Sequence, residues 1–117
     1  GIRSGEELAL STFGGAVMET AVLTEIQAGL SFRDPRPSLH FWRTSNGAEV
    51  DLVVENGLRL IPVEAKLSAT PKANMVRGIQ AFRDLYGEDS DSGWVVHYGD
   101  LPLPLGNGNI ALPFNML

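Results

Sequence analysis

The dipeptide Asn56-Gly57 constrains this chain most, because two apolar runs with strand-like alternation meet there. Asn and Gly both tolerate positive φ, so an Asn-Gly pair between such runs is a strong local hairpin signal. The runs are Glu49 to Glu55 and Leu58 to Lys66. Val50, Leu52, Ile61, Val63 and Ala65 mark both as core strands, yet Glu49, Asp51, Glu64 and Lys66 sit among them. Side chains alternate along a strand, so Glu49 and Asp51 share one face and Glu64 and Lys66 share another. A two-residue turn at Asn56-Gly57 predicts Glu49 directly across from Glu64, with Asp51 diagonal to it. Pro62 cannot donate to a ladder and must occupy a non-hydrogen-bonded position, an edge or a bulge.

Residues 6–29 read as a helix with a glycine-weakened middle at Gly14 and Gly15; Val22, Leu23 and Ile26 form its apolar stripe and Gly29 its stop. Glu19 precedes those residues by three, four and seven positions, which predicts a carboxylate on the buried face. Residues 31–38 form a loop, Leu39 to Arg43 a short strand, and Ser45-Asn46-Gly47 a turn. After Ser68-Ala69-Thr70-Pro71, residues 72–86 read as an amphipathic helix. Met75, Val76, Ile79, Phe82 and Tyr86 form its core face; Lys72, Arg77 and Asp84 point elsewhere. An acidic loop at residues 87–92 leads to a strand, Trp94 to Tyr98. A Pro/Gly-rich connection runs from Leu101 to Asn109, and Ile110 to Leu112 form a last short strand. The expected fold is α/β: a mixed sheet of four to five strands flanked by helices, in the order helix-strand-strand-strand-helix-strand.

Length and composition narrow the class. At 117 residues with 44% hydrophobic and 20% charged residues, the chain has the size and balance of one soluble domain. The expected division is linker or remnant plus helix start over residues 1–11, then one domain over 12–117. An opening without methionine suggests a piece of a larger protein. No apolar run approaches the roughly 18–20 residues that span a bilayer, and with no basic-then-apolar leader pattern in the sequence, secretion is not expected. The absence of cysteine removes disulfides and zinc–thiolate sites and fits a cytoplasmic setting. The net charge is −5, but residues 33–83 carry eight basic against five acidic residues and are net +3. The whole therefore argues mildly against a nucleic-acid-coating protein, while the middle segment does not.

Two carboxylates opposed in a sheet repel, and here Asp51 and Glu19 add to them, with Lys66 as the nearby counter-charge. Such a group either holds protons at neutral pH or binds a divalent cation. Oxygen ligands without His or Cys favour a hard metal, Mg²⁺ or Mn²⁺. With a lysine beside it, the cluster has the parts for metal-assisted phosphodiester hydrolysis. The competing reading is a set of salt bridges on a half-exposed sheet. Trp42 and Trp94 read as core or rim, and His40 and His97 as structural. Ser11, Ser31 and Ser45 lack a nucleophile context, and no glycine pattern resembles a phosphate-binding loop.

Asp51, twelve intervening residues and Glu64-Ala65-Lys66 resemble the PD-(D/E)xK nuclease signature, and the element order resembles the restriction-endonuclease-like core. The chain also resembles a family of unknown function found at the C-terminus of predicted archaeal-type AAA ATPases. The stretches that carry this are Gly15-Ala16-Val17-Met18-Glu19, Phe41-Trp42-Arg43-Thr44, Glu49-Val50-Asp51-Leu52-Val53, Ile61-Pro62-Val63-Glu64-Ala65-Lys66 and Arg77-Gly78-Ile79-Gln80-Ala81-Phe82. They span roughly residues 12–117. The resemblance implies Asp51 and Glu64 as metal ligands, Lys66 as catalytic lysine and Glu19 as accessory ligand; the opposed Glu49 joins the candidate metal set. It further implies DNA as substrate, an ATPase module in the same polypeptide, and a homodimer as a further partner. Two departures stand out. Val50 occupies the position where proline is common across the fold, and Gln80 is followed by Asp84, with Tyr86 two residues later, instead of a tyrosine four residues on. The alternative function is a catalytically silent domain that keeps the fold and docks on the ATPase.

Overall fold

A computed structural model describes residues 5–67 and 73–117, with side chains for 14–67 and 75–117. The first helix, α1, runs Gly5–Leu30 without interruption at Gly14 and Gly15. Met18 and Val22 are buried and Leu23, Ile26 and Leu30 pack beside them. That set recurs every three to four residues and makes one stripe. Glu19 lies beside the stripe and remains exposed, which corrects its expected placement on the buried face. One residue past Met18 means about 100° of rotation around the helix, enough to bring the carboxylate to the margin of the covered surface.

Three antiparallel strands follow: β1 (Ser38–Arg43), β2 (Glu49–Asn56) and β3 (Arg59–Ala65). The β2–β3 ladder pairs Leu52 with Val63, Val53 with Pro62, Val54 with Ile61 and Asn56 with Arg59. The turn is therefore Gly57-Leu58, two positions from the expected alignment in summed register. Gly57 has φ +64° and Leu58 has no positive φ, the pattern of a II′ turn with glycine at its first central position. An Asn56-Gly57 turn of type I′ would require positive φ at Asn56 as well. By itself a shift of this size preserves the alternation of faces but changes which residues stand opposite one another. Pro62 is interior to the sheet, and its carbonyl faces Gly93 on the β4 side. Its missing N–H thus falls away from β2, and the ladder loses no bond there.

β1 pairs His40 with Val53 and Trp42 with Val50, so Phe41 faces an extra residue on β2. This bulge turns Asp51 and Leu52 toward the same face, while Val50 and Val53 point to the other.

After β3, a 3₁₀ turn (Ala73–Val76) leads into α2, Arg77–Tyr86. The expected helix over 72–86 is thus shorter, Ser68 to Lys72 lying outside the described residues. Ile79 and Phe82 are its buried face, whereas Tyr86 stays partly exposed with its ring against Phe82. β4 (Trp94–His97) then runs parallel to β3. The expected Pro/Gly-rich connection contains a further strand, β5 (Leu103–Gly106), which forms a hairpin with β6 (Asn109–Pro113). Asn107 and Gly108 both have positive φ, so this last Asn-Gly pair makes the I′ turn. The sheet has six strands in the order β1-β2-β3-β4-β6-β5, correcting the expected four to five. β5 tolerates Pro104 because it is an edge.

Helices cover opposite faces. The α1 stripe packs on Leu52, Val54, Val63, Ala65 and Val96, while Phe82 of α2 packs with Val50, Val53 and Trp42. Trp42 meets Phe82 edge-on at 5.3 Å between ring centres. Among the described residues, no helix is long and apolar enough to cross a membrane.

Candidate functional site

The β2–β3 ladder ends at Leu52 and Val63, and the two strands splay beyond it. Asp51 and Glu64 stand next in register, and their carboxylates take over the role of ladder carbonyls. The Asp51 backbone N–H donates to Glu64 Oε1 at 3.3 Å, and the Ala65 N–H donates to Asp51 Oδ2 at 2.8 Å. The expected partner of Glu64 was Glu49; the II′ turn puts Asp51 there instead. Each carboxylate is held by a main-chain donor of the opposite strand, a more rigid attachment than a surface rotamer.

Lys66 follows β3 and donates its backbone N–H to the Val96 carbonyl, which fixes the chain where the side chain emerges. Its Nζ lies 3.4 Å from Glu64 Oε2; the ammonium side chain is half-exposed and the carboxylate buried. Glu19 approaches from α1, its carboxyl in hydrogen-bonding contact with Asp51. The three acids form a row, Glu19–Asp51–Glu64, with Asp51 central. Among the described residues, no three acids or histidines converge on a single point as a preformed metal cage. Glu49 is at the rim, 2.9 Å from Arg43 Nη2 in an exposed ion pair.

Burial in the fork pushes the Glu64 carboxyl up to about 8, with the charge of Asp51 adding to the shift and Lys66 opposing it. The Glu19 carboxyl is also raised, first by desolvation, then by Asp51 and Glu49. Although Glu19 is open to solvent by area, it borders a cavity whose wall includes Val22, Leu52 and Val63, an apolar setting consistent with the desolvation.

The fork opens on both faces of the sheet. On the α1 side lie a cavity of about 120 Å³ and a shallower one of about 440 Å³; Glu19, Phe41 and Asp51 line both. On the α2 side a cavity of about 320 Å³ is bordered by Glu49, Glu64, Lys66, Arg77 and Gly78. Gly78 lets α2 approach this closely: a Cβ there would lie 2.0 Å from the Glu49 carbonyl oxygen and 3.3 Å from Glu64 Oε1. Neither Phe41 nor Gly78 was singled out by the charged pattern. Adjacent aromatics on one strand must face opposite ways, so Phe41-Trp42 already required one ring on the site's face.

His40 forms an exposed pair with Glu55. His97 is buried and its Nδ1 accepts the Gly99 N–H, while Nε2 has no partner among the described residues.

An α/β domain with a mixed sheet and a carboxylate–lysine fork is thus the class that this geometry defines. Residues 14–117 match a family described as a domain of unknown function, DUF4143, and the chain belongs to that family. No curated protein matches the chain.

Proposed function

We propose that this is a nuclease-like domain of PD-(D/E)xK type that hydrolyses DNA phosphodiester bonds with a divalent metal, accessory to an AAA ATPase module. The observation that carries this reading is the fork itself, with Asp51 and Glu64 cross-paired through main-chain N–H groups and Lys66 at 3.4 Å from Glu64. A restriction-endonuclease-like core is supported by the antiparallel β1–β2–β3 unit, the α2 crossover to parallel β4, and helices on opposite faces.

The donor set suits a hard cation. All candidate ligands are carboxylate oxygens, and Glu64 is buried beside a second carboxylate with one partly exposed ammonium to offset them. Main-chain donors occupy one oxygen of each carboxylate, Glu64 Oε1 and Asp51 Oδ2, while Glu64 Oε2 faces Lys66 Nζ. Asp51 and Glu64 would hold Mg²⁺ or Mn²⁺ with Glu19 from the α1 side, and the metal would polarise a phosphoryl oxygen and acidify a bound water. Lys66 stabilises negative charge developing on phosphate or orients the attacking water. The backbone bonds at Asp51 and Ala65 keep both carboxylates oriented, a positioning role that needs no movement during reaction.

Plasmid nicking with Mg²⁺ or Mn²⁺ tests the reading. Wild type nicks, and Asp51→Ala and Lys66→Ala each lower the rate at least 100-fold, roughly the loss expected on removing one charge-stabilising group. Equal rates in the variants would sink it.

A second reading, a catalytically silent domain that docks on the ATPase, is favoured by the row-like arrangement of the acids and by the net charge of −5. Calorimetric titration with Mn²⁺ separates the two: micromolar binding lost in Glu64→Ala counts against a silent domain.

A further inference from the structure

Phe41 is 82% exposed, although its strand neighbours Leu39 and Trp42 both pack into the core. Leu39, Phe41 and Arg43 share one face of β1, the face that α1 covers only at the Leu39 end. Phe41 stands opposite the bulge at Asp51-Leu52, so its ring forms part of the wall of both α1-side cavities, next to Glu19 and Asp51. Arg43 continues the same ledge, also lining the larger cavity, with its side chain 77% exposed. Its ion pair with Glu49 is solvated on both sides and so is worth little, leaving the guanidinium able to exchange its partner.

We infer that this ledge binds an unpaired nucleotide, the base stacked on Phe41 and an adjacent phosphate drawn to Arg43, so that the site takes a single strand in preference to a duplex. The inference rests on the proposed function for the class of substrate and adds the state of the strand. Bases within a duplex are already stacked on one another, whereas every unpaired base offers a π-face to an aromatic side chain. Stacking is also nearly independent of charge. It offers an acidic domain a way to hold nucleic acid beside Glu19, Glu49 and Asp51, where phosphate attraction alone is opposed.

The test is fluorescence anisotropy in EDTA at low salt, using a labelled single-stranded DNA, the matching duplex and the RNA strand of the same sequence. Wild type binds a single strand more tightly than the duplex, and the tighter of DNA and RNA identifies the source of the nucleotide. Phe41→Ala weakens single-strand binding roughly ten- to a hundredfold, Phe41→Trp retains it, and Arg43→Gln makes it less salt-dependent. A duplex preference, unchanged binding in Phe41→Ala, or no binding by wild type each overturns the inference. Without metal no cleavage step enters the measurement. Phe41-dependent binding without nicking therefore removes the hydrolase reading alone, and nicking without Phe41-dependent binding removes this inference alone.

Discussion

Glu64 is the residue on which most of the site's electrostatics depend. Its carboxyl is pushed to about 8 against an ordinary 4.5, so between these values the folded protein holds a proton that the unfolded chain releases. The stability this contributes is fully present below about pH 4.5 and is lost as pH rises through about 8. The metal-free protein should therefore lose on the order of a few kcal/mol across that window, read as a falling Tm. Glu64→Gln, which keeps the shape without the charge, should flatten the fall; an unchanged slope would assign the effect elsewhere. Gly78 matters for a steric reason instead. Gly78→Ala forces a Cβ into the Glu49 carbonyl, and overpacking of this kind costs roughly 1–3 kcal/mol. Denaturant unfolding checks it, and a loss well below 1 kcal/mol would mean that α2 can shift away from the sheet without penalty.

Between elements, a buried amide ties α2 to the β5–β6 hairpin. Asn109 Oδ1 accepts the Gly93 N–H at 2.7 Å and Arg83 Nη1 at 3.0 Å, while Arg83 also donates to the Asn107 carbonyl. Asn109→Ala leaves the buried Gly93 N–H without a partner and should cost about 1–3 kcal/mol in urea unfolding. Asn109→Asp keeps both acceptor bonds and should lose less; the reverse order would show that the amide, not the acceptor, is what matters. The Asn-Gly dipeptides at 56–57 and 107–108 belong to the same scale. Asn56-Gly57 reads as the strongest turn in the chain because apolar runs flank it, yet the chain turns one residue later. Asn107-Gly108, hidden among Pro102, Pro104 and Gly106, makes the I′ hairpin. Local turn chemistry identifies where reversal is cheap; the packing of both flanking strands selects the register.

At the level of the whole molecule, the carboxylate fork is where α1, the sheet and α2 come together. Under the proposed function, a divalent cation binding there acts on the folded state alone and so stabilises the entire domain. At a hundredfold excess over Kd the gain is about 2.7 kcal/mol, which should raise Tm by several degrees in Mn²⁺ near pH 8. Asp51→Ala should abolish the rise. An equal rise in that variant would place the ion elsewhere on the surface.

The amino-acid sequence by itself determined the core strands, the amphipathic second helix, the membership of Asp51, Glu64 and Lys66 in one local cluster, and the α/β class. These follow from periodicity and from chemistry within a short stretch, where few alternatives compete. The tertiary structure decided that Asp51, not Glu49, faces Glu64, because a two-residue change of register leaves the alternation as it was and no trace in the hydrophobic pattern. It decided as well that Glu19 sits at a margin and that Phe41 stands exposed at the opening. Both depend on how far α1 extends over a sheet bent by a bulge, a matter of long-range packing that no local spacing records. The hairpin remains the most constraining feature of this sequence, but the site it builds was set by the turn that the folded chain adopts.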